Sequence, residues 1–443
     1  MVKYKAPLRE YEFILREVLG IEKELGSYPE YSEATWDMIE MISEQFAKIN
    51  EDYWLPSAKV GDEVGVKFED GNVIVPESMK EATNVVIEGG LTQLFGHQEY
   101  GGMEFPNVIN VLSDEMSCAA NMSLGIYLGL TKGAYHCIHK HGSQEIRQRY
   151  LPKFLSGEWF GTMCLTEAHC GTDLGLIRTS AKPDGDNYLV SGQKIFISCG
   201  EHDMGENIIH LVLARLPDAP KGVKGISLFL IPKFKVNDDG TIGERNNVNC
   251  VSIEEKMGVH GSATCVMSFE ESTGYLIGEL NDGLAAMFSM MNTERIAVGL
   301  QGLGQAEIAY QNALAYSKDR IQGRDLKGAR NPEDEADPLI VHPDVRRMLL
   351  RSKAIIDSGR MLACWTALAI DKYEKDPDPS VRKENFDLVE LMTPIIKAML
   401  TDYGVEITSE MLQIFGGHGY IKEYGMEQFY RDVRIAPIWE GTN

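Results

Sequence analysis

The order in which the side-chain periodicity changes along the chain restricts its fold most. Residues 8–25 and 31–49 place apolar side chains at helical spacing, among them Leu8, Tyr11, Ile14, Leu15 and Val18, then Trp36, Ile39, Ile42, Phe46 and Ile49. A loop with Pro56, Gly61, Gly65 and Gly71 follows, then a helical stretch over 76–95 that Gly89 and Gly90 weaken. Two more helical stretches fill 106–140, where Gly125, Gly129 and Gly133 recur every fourth residue, a spacing that suits close helix packing. Near Trp159 the pattern turns to short β-branched segments at 160–165, 177–182, 187–199, 207–215, 224–231, 247–254 and 264–269. Turn clusters such as PDGDN, LPDAPKG and NDDGTIGE separate them, as in a β-sandwich or barrel. From Gly283 the helical period returns over 283–318, 343–373 and 383–415, interrupted by a Pro- and acid-rich loop at 325–340. This reads as a mainly α chain with a central β-domain: helical 1–158, β 159–280 and helical 281–443. No βαβ unit repeats, which rules against a Rossmann sheet.

Charge narrows the partners. The 443 residues hold 66 acidic and 43 basic side chains, a formal net charge of −23. A basic face for nucleic acid or a polybasic membrane anchor does not fit that balance. No stretch approaches the ~18 apolar residues of a membrane span. The start, MVKYKAPLREYEFILREVLG, is charged throughout and lacks a signal-peptide core. Eight cysteines without a CxxC pair read as reduced thiols, so a cytoplasmic protein is expected.

Several local patterns have two readings. Gly302-Leu303-Gly304 and Gly416-Gly417-His418-Gly419 do not complete GxGxxG after a strand, and Gly416–Gly419 reads as a helix stop or as a close approach to a ligand. His136, His139 and His141 resemble a metal cluster, but only the first two share a helix face and no matching carboxylate is evident, so no metal is expected. Cys170 lacks an identifiable base. Thr166, Thr172 and their neighbouring glycines form either a decorated turn or a cradle for an anion or flat ring. Phe196 and Ser198 share a strand face, for cross-strand packing or for a ligand. Glu440, between Trp439 and Gly441, is an exposed loop glutamate or a desolvated general base.

Together the segments Glu99-Tyr100-Gly101-Gly102, LTEAHCGTD (165–173), GQKIFIS (192–198), ERIAVGLQGLGQA (294–306), DRIQG (319–323), QIFGGHGY (413–420) and WEGT (439–442) resemble the acyl-CoA dehydrogenase family. LTEAHCGTDLGL and the KYKAPLRE start are most similar to its long bacterial branch, which includes 3-methylmercaptopropionyl-CoA dehydrogenase. The resemblance implies an N-terminal helical domain, a β-domain and a C-terminal four-helix bundle, with FAD held noncovalently between the last two. It implies that Leu165 and Thr166 lie along the flavin, Thr172 meets the pyrophosphate, and Phe196 and Ser198 stand beside the ring. Arg320, Gln413 and Gly417 would reach FAD from a second subunit, which implies a homodimer or larger homo-oligomer, and Thr442 would also reach FAD. The implied reaction is α,β-dehydrogenation of an acyl-CoA: Glu440 takes the α-proton, flavin N5 the β-hydride, and an electron-transfer flavoprotein the electrons. Glu294 is the alternative base, and Arg295, Trp439 and Gly441 are candidates for the substrate site. Cys170, Leu176 and Gln428 depart from the family pattern. An acyl-CoA oxidase using O₂ and a non-catalytic flavin-binding homologue are the competing readings. The family continues past the position of Asn443 with a further helix, so the C-terminal domain is expected to be truncated here.

Overall fold

The computed structural model describes residues 2–443. The N-terminal part contains α1 (Leu8–Glu12), α2 (Ile21–Leu25), α3 (Trp36–Ile49), α4 (Leu55–Val64), α5 (Glu77–Glu88), α6 (Asn107–His141) and α7 (Gln144–Leu155). A small hairpin, β1 (Lys67–Glu69) with β2 (Asn72–Ile74), interrupts it. The sequence reading placed a loop across Pro56–Gly71, and the structure replaces its first half with α4. Pro56 directly follows a π-helical turn, Asn50–Trp54, through which the chain runs on from α3, and a proline fits beside such an irregular turn. Gly61 lets α4 approach Met79, whose sulfur would lie 2.8 Å from a Cβ at that position. Near Asn121 α6 breaks, with φ −153° and ψ 89°, and its two halves fold toward each other, bringing Lys132 Nζ within 2.9 Å of Asp114.

Strands follow: β3 (Trp159–Cys164), β4 (Ser180–Asp184), β5 (Asn187–Ser198), β6 (Asn207–Arg215), β7 (Ile226–Pro232), β8 (Phe234–Val236), β9 (Ile242–Arg245), β10 (Val248–Ile253) and β11 (Thr264–Ile277). The pairings β11–β5, β5–β4, β4–β6, β6–β7 and β7–β11 close on themselves, so this is a barrel, with β10 and β3 attached at its sides. Its own core contains Val190, Val212, Phe229, Met267 and Phe269. The chain reading ended the last strand at 269, but β11 runs on to Ile277. The acidic pair Glu270-Glu271 hides this continuation: it marks a bulge, with Glu271 at φ +52°, after which pairing resumes.

The last part is α8 (Gly283–Asp319), α9 (Pro343–Lys375), α10 (Pro379–Ile414) and α11 (Met426–Val433). Gly302 and Gly304, which mimic a nucleotide loop in sequence, lie inside α8. A Cβ on Gly302 would stand 2.3 Å from the Leu400 carbonyl oxygen of α10, and one on Gly304 2.7 Å from backbone atoms of α6. Glycine therefore sets the distance at which α8 crosses both neighbours. Between α6, α8 and α9 a fully buried Arg360 bonds Glu115 and Glu307, with Nη2···Oε distances of 2.5 and 2.8 Å. All eight cysteines are free and buried. No described helix is long and apolar enough to cross a membrane.

Candidate active site

Two carboxyl groups meet in one cavity between α6, α8 and the C-terminal segment. Glu294 projects from α8 and is 6% exposed. Its carboxyl packs onto the α6 glycines: a Cβ on Gly133 would lie 2.5 Å from Oε1, and one on Gly129 3.9 Å from Oε2. The glycine series thus makes room for an acid. Glu440 lines the same cavity from a strained backbone, φ +53°, followed by Gly441 at +94°. Side chains of α8 and α10 clamp that segment. Arg295 Nε donates to the Glu440 carbonyl at 3.2 Å, and Lys397 Nζ donates to the Gly441 carbonyl at 2.6 Å and to Asn443 Oδ1 at 2.7 Å. Asn443 Nδ2 donates to Thr401 Oγ1 at 2.8 Å.

Burial is the main reason both acids hold their protons tightly. Glu440 keeps some surface open to the cavity, yet protein crowds its carboxyl, and loss of water raises its pKa to about 7 against the pull of Arg295 and Lys397. Glu294 is raised to about 8 by burial, then by repulsion from Glu440 and Asp114. Two acids in one cavity titrate as a pair, and the less buried Glu440 ionises first.

A second surface lies on the β-domain. Phe196 is 60% exposed and sits at φ +57° where β5 slips register against β11. The bulge turns the ring outward while Lys194 and Ile197 stay inside. Lys194 Nζ donates to the Leu165 carbonyl and to Glu167 Oε1, each at 2.9 Å. Glu167 in turn accepts from Arg178 N, Thr179 N and Thr179 Oγ1. These bonds brace the turn carrying Leu165, Thr166 and Thr172, and Ile195 N donates to the Thr166 carbonyl. Ser198, two residues after Phe196, also lines the acid-bearing cavity, so the two surfaces meet there. An exposed, strained aromatic beside hydroxyls and braced backbone suits a flat aromatic group, so the residues fit a flavin.

Arg320, Gln413 and Gly417 are exposed together on another corner, where Tyr316 stacks on Phe415 at 4.0 Å and bonds His418 Nδ1 at 2.8 Å. Gly416 stops α10 at φ +59°, the helix-stop reading of that motif. Thr442 is exposed beside the clamped loop. His139 stacks on His97 at 3.6 Å, and His141 bonds Ser289 at 2.7 Å.

Family models described as the acyl-CoA dehydrogenase N-terminal, middle and C-terminal domains match residues 40–158, 162–272 and 281–443. The chain belongs to the acyl-CoA dehydrogenase family. A 3-methylmercaptopropionyl-CoA dehydrogenase of Ruegeria pomeroyi is 43% identical over 99% of this chain and 74% of its own. A butyryl-CoA dehydrogenase of Syntrophomonas wolfei is 38% identical with the same coverage. Among solved structures, butyryl-CoA dehydrogenase from Megasphaera elsdenii aligns with TM-score 0.74 at 25% identity, covering 92% of this chain and 96% of that one. A chain solved in work on the electron transferring flavoprotein of Acidaminococcus fermentans aligns with TM-score 0.75 at 26% identity, covering 92% and 95%. The protein is an acyl-CoA dehydrogenase, an oxidoreductase of fatty-acyl oxidation.

Sequence reasoning missed the residues that hold this dehydrogenase's site in shape. Lys397 and Asn443 carry no motif of their own, and the groups that the side chains of Lys194, Glu167, Lys397 and Asn443 bond lie from 11 to 46 residues away in sequence. Lys194 and Glu167 do lie inside the two quoted motifs, GQKIFIS and LTEAHCGTD, and a buried lysine on a strand implies a buried acid.

Proposed function

We propose that the chain binds FAD against Phe196, Ser198, Leu165, Thr166 and Thr172, and dehydrogenates an acyl-CoA thioester between its α and β carbons with Glu440 as base. The observation that carries this reading is Glu440 itself: a carboxyl of raised pKa, on a clamped left-handed turn, in a cavity it shares with Ser198 of the flavin cradle. FAD, when bound, supplies the acceptor for the β-hydride.

The chain's own residues do the rest. Water is excluded by the apolar wall that includes Phe95, Leu130 and Phe160, which strengthens each polar contact inside. A pKa near that of the operating solution leaves enough Glu440 ionised while keeping it basic enough to remove a weakly acidic proton. Arg295 and Lys397 position the loop through its carbonyls and so leave the carboxylate oxygens free for the substrate. The Glu440 N–H meets no acceptor among the described residues and is available to the thioester carbonyl, where charge develops as the proton leaves. Glu294, holding its proton more tightly, is neutral when Glu440 works. Arg320, Gln413 and Gly417 complete the cofactor site of a second subunit. An electron-transfer flavoprotein takes the electrons, a reading that the structural likeness to the Acidaminococcus chain supports.

Anaerobic titration of the yellow holoenzyme with acyl-CoAs tests this reading. Loss of the flavin absorbance, with recovery on adding an electron-transfer flavoprotein, is expected. Recovery only with O₂ and matching peroxide would make it an oxidase. A protein that binds FAD but is bleached by no acyl-CoA would overturn the proposal.

A further inference from the structure

Three polar groups around the cavity of Glu440 have no hydrogen-bond partner. Gln301 is 7% exposed and its Oε1 meets no donor. The indole N–H of Trp159, a ring 1% exposed, and that of Trp439 meet no acceptor. All three residues line the cavity. Buried polar groups in folded proteins are almost always paired, and each exception calls for a missing partner. The first half of α6 adds Asn110, Ser113 and Ser117 to the same cavity, one face of the helix at spacings of three and four residues. A plain hydrocarbon chain would keep water from Gln301 Oε1 and the two indole N–H groups and offer them nothing, whereas Ser113 already donates to the Asn110 carbonyl at 2.8 Å.

We propose that this cavity takes an acyl-CoA whose chain carries a neutral oxygen or sulfur atom, and that Gln301 is the residue that recognises it. The inference rests on the assignment of the cavity to the acyl chain. Gln301 stands two turns beyond Glu294 on α8, about 11 Å along the helix axis. The heteroatom therefore belongs past the reacting α,β pair, toward the far end of the chain. The unpaired Gln301 Oε1 accepts from a hydroxyl, whereas an ether or thioether, which only accepts, meets the Gln301 amide N–H or the two indole N–H groups. A distal carboxylate does not fit. Lys132 lines the cavity, but Asp114 sits 2.9 Å from its Nζ, and Glu294 and Glu440 add two more acids.

Acyl-CoAs of equal chain length test the proposal, one all-hydrocarbon and the others with one methylene past the β-carbon replaced by sulfur or oxygen, or with a terminal hydroxyl. Two quantities are read on the holoenzyme: kcat/KM, and equilibrium affinity for the Glu440→Gln variant, which holds the ligand without turnover. The wild type is expected to prefer at least one heteroatom chain over its hydrocarbon twin by about tenfold in both. In Gln301→Leu the preference should fall to within about twofold. Gln301→Met, which keeps the side-chain length, serves if the leucine variant does not retain its flavin spectrum. Equal handling of both chain types by the wild type, or a preference that survives in both variants, would overturn the inference. Failure of every acyl-CoA to bind or react would instead overturn the functional assignment beneath it.

Discussion

At the scale of single residues the surroundings of the two glutamates set how tightly each holds its proton. The sequence offered both and favoured Glu440 for its WEGT context; it could not show that they share one cavity. The structure explains how both can be present: one is buried deeper and stays protonated longer. This has a signed consequence for stability. Glu294 binds its proton more tightly folded than unfolded, so its contribution is full below about pH 4.5, the ordinary glutamate value, and is lost as pH rises through about 8. Glu294→Gln removes that dependence. Its melting temperature should therefore exceed the wild type's at pH 8.5 by more than at pH 5, as read by differential scanning calorimetry. Activity follows the other acid: the wild-type rate with acyl-CoA should rise with pH through about 7, where Glu440 loses its proton.

At the scale of elements, the helices and most strands were legible because a buried face repeats its apolar side chains with a fixed period. What escaped were features set by contact between elements. Gly125, Gly129 and Gly133 read as a close-packing series, yet nothing in the sequence says that Gly129 and Gly133 pack against Glu294 while Gly125 faces Cys118. Gly133→Ala places a methyl 2.5 Å from the Glu294 carboxyl and 3.0 Å from Met290, and the Glu294 carboxyl must swing out of its buried position to accept it. Overpacking of that kind costs about 1–3 kcal/mol, measurable as a lower denaturant midpoint. The Arg360–Glu115–Glu307 triad was equally invisible, since its members come from three distant helices. Arg360→Met leaves two buried acids without their cation and should destabilise the fold by about 3–5 kcal/mol, more at pH 8 than at pH 5, because burial already raises the Glu115 pKa. A variant as stable as the wild type at pH 8 would remove the triad from the account of how α6, α8 and α9 are held.

At the scale of the whole molecule, the order α, β, α was readable from periodicity alone. It became a functional statement only through motifs spread over nearly the full length. No single motif fixed the site: Phe196 needed a bulge to turn outward, and Glu440 needed Arg295 and Lys397, about 145 and 43 residues earlier, to hold its loop. The exposed Arg320–Gln413–Gly417 corner, with exposed Leu350, Trp365 and Leu391 on the neighbouring helices, leads to the expectation of a dimer or larger assembly by light scattering. Arg320→Ala should weaken FAD retention on dialysis. The claim on which the rest depends is that Glu440 moves the α-proton, and isotope exchange tests it without needing hydride transfer. The holoenzyme is incubated in D₂O with a redox-inert acyl-CoA analogue, and deuterium entering the α-carbon is followed. The account predicts exchange in the wild type and in Glu294→Gln, and none above background in Glu440→Gln. Exchange that survives in Glu440→Gln and vanishes in Glu294→Gln would contradict it.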